Sequence, residues 1–243
     1  MNFNPKVQVV NYGKGVVKFR LDDANSALAN SLRRVIVSEI LTLSIDSVKF
    51  YSNESVLHDE FISHRLSLLV LDSRVVNAIK CDCNTKNKIN TNAISENKSL
   101  ESNTISESKV IPESNSILEY KGCPLCTFSF HLNVRCTGHQ SLIVTADMLV
   151  ASNPDVQCIN PKAIITKLDI GQSLQLEAIA KVGTGKEHAK WSAVCGVGYH
   201  VNNSTSYQLT VESSGSIPGP QIVTNGLKVL NSNLDTILEI IKK

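Results

Sequence analysis

Residues 21–40 read LDDANSALANSLRRVIVSEI, and the rest of the chain is arranged around this stretch. Asp22 and Asp23 stand at its start, where a short carboxylate accepts hydrogen bonds from first-turn N–H groups and complements the positive end of the helix dipole. Ala24, Ala27, Leu28, Leu32, Val35, Ile36 and Ile40 recur mostly at steps of three and four, which predicts a helix with one apolar face and small residues at its beginning. Arg33 and Arg34 follow one another inside the stripe. A core helix with two solvated arginines fits this pattern. So does a helix whose apolar face is completed by another protein.

Working outward, Lys6–Asn11 and Val16–Leu21 read as strands joined at Tyr12, Gly13, Lys14 and Gly15, a hairpin leading straight into the helix. On the other side, Ser44–Tyr51 alternates imperfectly through Ile45, Val48 and Phe50, as a further strand does. Val56–Leu71 returns to helical spacing, with Phe61, Ile62, Arg65, Leu66 and Leu69 placed for one buried face. This segment holds His58, Asp59, Glu60 and His64. His58 and Glu60 face different directions, and no histidine pair at ligand spacing supports metal or acid-base chemistry.

Residues 84–116 are rich in Asn, Ser, Glu, Lys and Thr, with no aromatic residue and no glycine. Such a segment buries too little apolar surface to offset its ordering entropy, and it reads as a disordered insertion. Beyond it, Phe128, Phe130, Leu132, Val134 and Cys136 alternate with Ser129, His131, Asn133 and Arg135, the pattern of a half-buried antiparallel strand. Leu174, Leu176, Ala178, Ala180 and Val182 repeat it. Val197–Val201 and Tyr207–Val211 add two strands joined by a polar Asn-Asn-Ser-Thr turn. From Gly219 to Lys243, Val223, Leu227, Leu230, Leu234, Ile237 and Ile241 alternate threes and fours, a coiled-coil-like seam. Over about three heptads such a seam is marginal alone, so it packs on a sheet, a partner, or both.

With 42% hydrophobic residues, a chain of 243 residues has ample material for a core. A formal charge of +2 gives no general drive toward nucleic acid, so any such role is indirect. No run approaches the ~20 apolar residues of a membrane helix, and the polar start MNFNPKV lacks the regions of a signal peptide, which predicts a soluble intracellular protein. Seven cysteines in that setting argue for thiols and metal over disulfides, and leave the Asn53–Ser55 triplet a chance match to a glycosylation site.

Cys81 and Cys83 form a Cys-x-Cys pair; Cys123 and Cys126 form Cys-Pro-Leu-Cys behind a glycine. Two close pairs can supply four thiolates in a tetrahedron, with turn N–H groups stabilising the sulfur charge. Four protein ligands leave no open position, so such a Zn2+ is structural. Scattered free thiols are the alternative. Cys136, Cys158 and Cys195 stand singly, as small core residues do.

ANSLRRVIVSEILTLSIDSV at 29–48 and VLHDEFISHRLSLLVL at 56–71 resemble the signature region of the α-like subunits of cellular RNA polymerases, a family that takes in the bacterial alpha and archaeal D subunits. The wording is nearest to the third-largest subunit of eukaryotic RNA polymerase II. TFSFHLNVRCTGHQSLIVTADML, the block ending GKEHAKWSAVCGVGY, and LTVESSGSIPGPQIVTNGLKVL resemble successive blocks of the same family, so the resemblance covers most of the chain. It departs after the HRL motif, where Ser67–Leu71 replace the family's Gly-Leu-Ile-Pro-Leu, and between the cysteine pairs, which residues 84–116 separate. Loop closure costs only about 0.6 kcal/mol more per doubling of length, so the separation is compatible with a zinc loop.

The resemblance implies an α+β fold. A discontinuous dimerisation domain, residues 1–42 and 169–243, would be interrupted by a mixed α/β insert domain, residues 43–168, carrying the zinc loop. It implies a non-catalytic assembly subunit of the nuclear enzyme, heterodimerising with a smaller α-like subunit to scaffold the largest and second-largest subunits, with small subunits docking nearby. DNA and RNA would be met only through the complex, and no membrane is involved. Leu28, Leu32, Ile36, Leu227, Leu230 and Leu234 would form the dimer face, and Arg33 and Arg34 would approach the second-largest subunit. Alternatives are the α-like subunit shared by polymerases I and III, and, in a different class, a free-standing zinc-ribbon nucleic-acid binder. The residues themselves offer no nucleophile-base pair, phosphate loop or open metal site, so an enzyme is not expected.

Overall fold

The computed structural model describes residues 4–13, 15–78 and 126–242. The hairpin is β1 (Lys6–Gly13) and β2 (Val16–Asp22), and it runs into α1 (Ser26–Ser38). Then come β3 (Leu41–Asn53), α2 (Asp59–Ser67), β4 (Thr127–Arg135), β5 (Leu142–Thr145), β6 (Val150–Ala151), β7 (Ile164–Leu168), β8 (Ser173–Thr184), β9 (Val194–Asn203), β10 (Ser206–Ser213) and α3 (Gly219–Ile241). The expected insertion at 84–116, with Cys81, Cys83 and Cys123, lies outside the described residues.

The strands form two four-stranded antiparallel sheets, β1-β2-β10-β9 and β3-β8-β4-β6, and a β5-β7 pair. The first sheet is assembled from both ends of the chain and carries α1 over β9 and β10 and the first half of α3 over β10 and β2. Val17, Phe19, Leu21, Leu32, Ile36, Leu209, Val211 and Ile222 close that core. The second sheet packs α2 and the β5-β7 pair around Ile45, Ile62, Leu66, Phe130, Leu132, Val144 and Ile165. Central to this sheet is β8, within the segment the resemblance assigns to residues 169–243, and its Leu174, Leu176, Ala178 and Ala180 sit in the second core.

The alternating strands follow the sequence pattern. In β4, Phe130 and Leu132 are buried while His131 and Asn133 are exposed, and β10 buries Tyr207, Leu209 and Val211 in the same way. The imperfect alternation of β3 has a structural cause: its register with β8 slips between Ile45 and Ser47 and again between Phe50 and Ser52.

The helix boundaries differ from expectation for local reasons. Asn25, not Asp22 or Asp23, caps α1, its side chain accepting the Leu28 N–H at 2.8 Å. Asp22 still belongs to β2 and is engaged by Arg20 and Ser206. Asp23 makes the bend, with φ of 53°, and accepts the Asn4 N–H. Ala27 faces solvent and Ala29 takes its place in the core; Ala24 and Ile40 are buried but lie outside the helix.

The second helix is shorter than the expected Val56–Leu71. Asn53 forms a turn with Ser55 and Leu57 that holds the preceding backbone out of the helix, and Leu71 leaves it to bridge Cys158 in an extended pairing. Ile62, Leu66 and Leu69 are buried as expected, whereas Phe61 is 61% exposed and Arg65 reaches out to the Ile164 carbonyl. No helix among the described residues is long and apolar enough to cross a membrane.

Candidate protein-interaction surface

The crossing of α1 and α3 is set by a glycine. A Cβ on Gly226 would lie 2.7 Å from Ile36 Cγ1 and 3.7 Å from Leu32 Cδ1, so the two helices touch where α3 has no side chain. That contact turns Gly219, Ile222, Val223 and Gly226 inward. The expected seam is thereby split. Val223 belongs to the chain's own core, Leu230 is half-buried, and Leu227 faces out.

Beyond Leu230 every described residue of α3 is exposed. Leu234 is 50% and Ile241 is 73% exposed, and Ile237, Leu238 and Ile240 accompany them. An apolar ridge of three helical turns therefore projects past the sheet that anchors its first half. Asn233 ties its base to α1 through a 2.8 Å hydrogen bond to Glu39. Exposed apolar patches of this extent mark surfaces that another macromolecule covers.

Of the residues assigned to the dimer face, Leu32 (1% exposed) and Ile36 are buried in the chain's own core, and Leu28 packs at its margin. Leu227 and Leu234 are open to a partner. Arg33 is half-buried and donates to Asn30 Oδ1 at 3.0 and 3.2 Å; Arg34 is exposed. The two arginines thus differ in freedom: one is held along its own helix, the other is open to solvent.

The GKEHAKW stretch, residues 185–191, joins the two cores. A Cβ on Gly185 would come within 2.4 Å of the Val37 carbonyl, so only glycine lets this loop reach the end of α1. There the Lys186 N–H donates to the Ser38 carbonyl at 2.8 Å, satisfying one of the helix's terminal acceptors. Trp191 covers Gly183, donates to the Lys181 carbonyl and, through its own carbonyl, accepts from buried Thr42. Lys190 lies 4.3 Å above the indole. Asp46 pairs with both Lys181 and Lys190 at 2.7 Å. Burial pushes the Asp46 carboxyl up, but the two lysines outweigh it and hold the group below the ordinary carboxylate range.

A second joint lies beside α3. The Ser73 N–H donates to the Ser216 carbonyl at 2.9 Å, and Ser73 Oγ accepts from Leu43. Arg74 pairs with Asp72, whose carboxyl is raised by burial but lowered further by that guanidinium. Neither serine stood out in the sequence, because hydroxyls on loops carry no periodic signal.

The cysteine segment departs from the chain after Ala78 and returns at Cys126, which is half-buried at the start of β4. Ser44, Lys181 and Thr127 are in register across β3, β8 and β4, and Ser73 bonds Leu43 beside them. Both flanks of the segment therefore meet the same end of the sheet. Four cysteines as a donor set fit a closed structural zinc site. Among the described residues no group of His, Cys, Asp or Glu forms a metal cluster. Burial pushes the Cys158 thiol up, away from the reactive thiolate.

Comparison with known proteins places this architecture. Residues 45–197 match the RNA polymerase Rpb3/RpoA insert domain. The chain is 28% identical, over 98% of its length and 88% of the relative, to DNA-directed RNA polymerase II subunit RPB3 of Schizosaccharomyces pombe. It is 31% identical to DNA-directed RNA polymerase II subunit rpb3 of Dictyostelium discoideum, over 79% of this chain and 56% of that one. To DNA-directed RNA polymerase subunit Rpo3 of Pyrobaculum calidifontis it is 34% identical, over 81% and 63% of the two chains. It thus spans most of the first relative and less than two thirds of the other two. Since the insert-domain match takes in more than half of the chain, with the β3-β8-β4-β6 sheet almost wholly inside it and the β1-β2-β10-β9 sheet built mainly from its flanks, the chain belongs to the Rpb3/RpoA family of RNA polymerase subunits.

Proposed function

We propose that the chain is a non-catalytic assembly subunit of DNA-directed RNA polymerase II, acting in the nucleus by heterodimerising with a smaller α-like subunit so that the large catalytic subunits can assemble. The observation that carries this reading is the projecting apolar half of α3 in a chain whose relatives are named as subunits of that polymerase. Those names favour polymerase II over the subunit shared by polymerases I and III, and over a free-standing nucleic-acid binder. DNA and RNA are reached only through the complex.

In this reading Leu227, Leu230 and Leu234 meet the smaller subunit, Leu28 borders the contact, and Leu32 and Ile36 form the core beneath it. Exposed Arg34, with Arg33 beside it, faces the second-largest subunit. Cys81, Cys83, Cys123 and Cys126 hold one Zn2+, which crosslinks the two flanks of the long segment and takes no part in chemistry. Co-expression with the smaller α-like subunit tests the pairing. The two chains co-elute if the reading holds, and Leu234→Asp abolishes co-elution without unfolding this chain. Separate elution of the two wild-type chains would overturn it.

A further inference from the structure

The edges of the two four-stranded sheets are not alike. Edge strands are usually protected by bulges, charges, proline or shortness, because a row of free N–H and C=O groups is a template for another strand. A bulge between Val9 and Asn11 interrupts β1; β3 slips twice against β8 and carries Asp46 and Lys49; β6 has two residues. The fourth edge, β9, has none of these devices. Val194–Asn203 contains no Asp, Glu, Lys, Arg or Pro, and its register with β10 is unbroken from Gly196 to Val201. Among the described residues, no backbone group from Cys195 to Asn203 bonds to anything on the side away from β10.

We infer that β9 takes up an extended segment of another polymerase subunit as a fifth strand of this sheet. The inference rests on the reading of the chain as a polymerase assembly subunit and adds a second mode of contact, through main-chain hydrogen bonds. Paired residues share a face of the sheet, and that fixes the chemistry of the incoming strand. Tyr199 pairs with Leu209 and Val201 with Tyr207, two buried residues of the first core, yet Tyr199 and Val201 are 40% and 52% exposed. The core face therefore runs past the cover of α1 to the edge, and the incoming strand places apolar side chains there. On the opposite face Gln8, Arg20, Gln208 and His200 form one row across the four strands, so the alternate residues of the incoming strand are polar. Gly196 and Gly198 lie on this polar face with open space where a Cβ would stand, which leaves room for long side chains from the partner. A second copy of β9 would bring its own two glycines and leave that space unfilled. The regular stretch of six residues, 196–201, spans about 20 Å at about 3.3 Å per residue and sets the length of the added strand.

The test compares hydrogen exchange at single amides of β9 in the isolated chain and in polymerase purified through the tagged full chain. An added strand gives protection with a period of two: amides facing β10 are slow in both samples, and the alternate ones slow by about tenfold or more only in the complex. Photo-crosslinking residues at positions 199 and 201 then form adducts with partner residues two apart. Val201→Lys places a charge on the core face of the edge, leaves the melting temperature of the isolated chain unchanged and removes the alternate protection. Exchange in β9 that is the same in both samples, uniform protection without the alternation, adducts three or four residues apart as on a helix, or adducts only with a second copy of this chain, each overturns the inference while leaving the assembly reading intact. If the tagged chain brings down no polymerase, the assembly reading fails and the strand assignment falls with it.

Discussion

Two single residues show how the packing is decided. Gly226 has no recognisable role in an apolar seam, since the stepping of threes and fours passes over it. Its lack of a side chain nevertheless selects which side of α3 faces α1. Gly226→Ala gains about 1 kcal/mol in helix propensity but forces Ile36 aside in a filled core, at about 1–3 kcal/mol. Urea denaturation should give a net loss of about 1 kcal/mol. Asp46 is the second such residue. Its carboxyl is held low by Lys181 and Lys190, so its stabilising contribution is present above the unfolded-state carboxylate pKa, about 3.9, and is lost as pH falls through the lower folded value. Asp46→Asn should therefore lower stability at neutral pH by about 1–2 kcal/mol. The gap between the two proteins should stay level down to about pH 5 and close in strong acid.

At the scale of elements, the strands with strict alternation were legible because burial of one sheet face imposes a period of two. Among the described residues, the existence of the three α-helices was legible too. Their limits were not: turn chemistry at Asn53, the Asn25 cap and the Leu71 bridge act through side-chain and cross-chain contacts that periodicity does not register. The same limitation affects the dimer face. Leu32 and Leu234 look equivalent as stripe residues, but one is sealed against the chain's own sheet and the other projects. Leu32→Asp should unfold the isolated chain, with a loss of secondary structure by circular dichroism at temperatures the wild type tolerates. Leu234→Asp should leave that spectrum and the melting curve intact and act only on association. Equal thermal stability of the two variants would contradict the assignment of Leu32 to the core.

For the whole molecule, two cores are joined at Gly185 and α1, and at Ser73 and Ser216, so that the anchoring of the projecting helix is shared by both. The family resemblance was readable from blocks along the chain, since those blocks are the ones that form the two cores and the joint between them. The cysteine pairs lay in plain view, and zinc should be found at about one ion per chain by elemental analysis and be lost on Cys123→Ser with Cys126→Ser. Zinc content unchanged in that double variant would sink the site. The central claim is assembly, and the most direct measurement is affinity purification of the tagged chain from its native cells with identification of what accompanies it. The account predicts the largest and second-largest subunits of RNA polymerase II together with a smaller α-like subunit, and loss of all three with Leu234→Asp. Recovery of polymerase I and III subunits instead, or of no polymerase subunit at all, would contradict it.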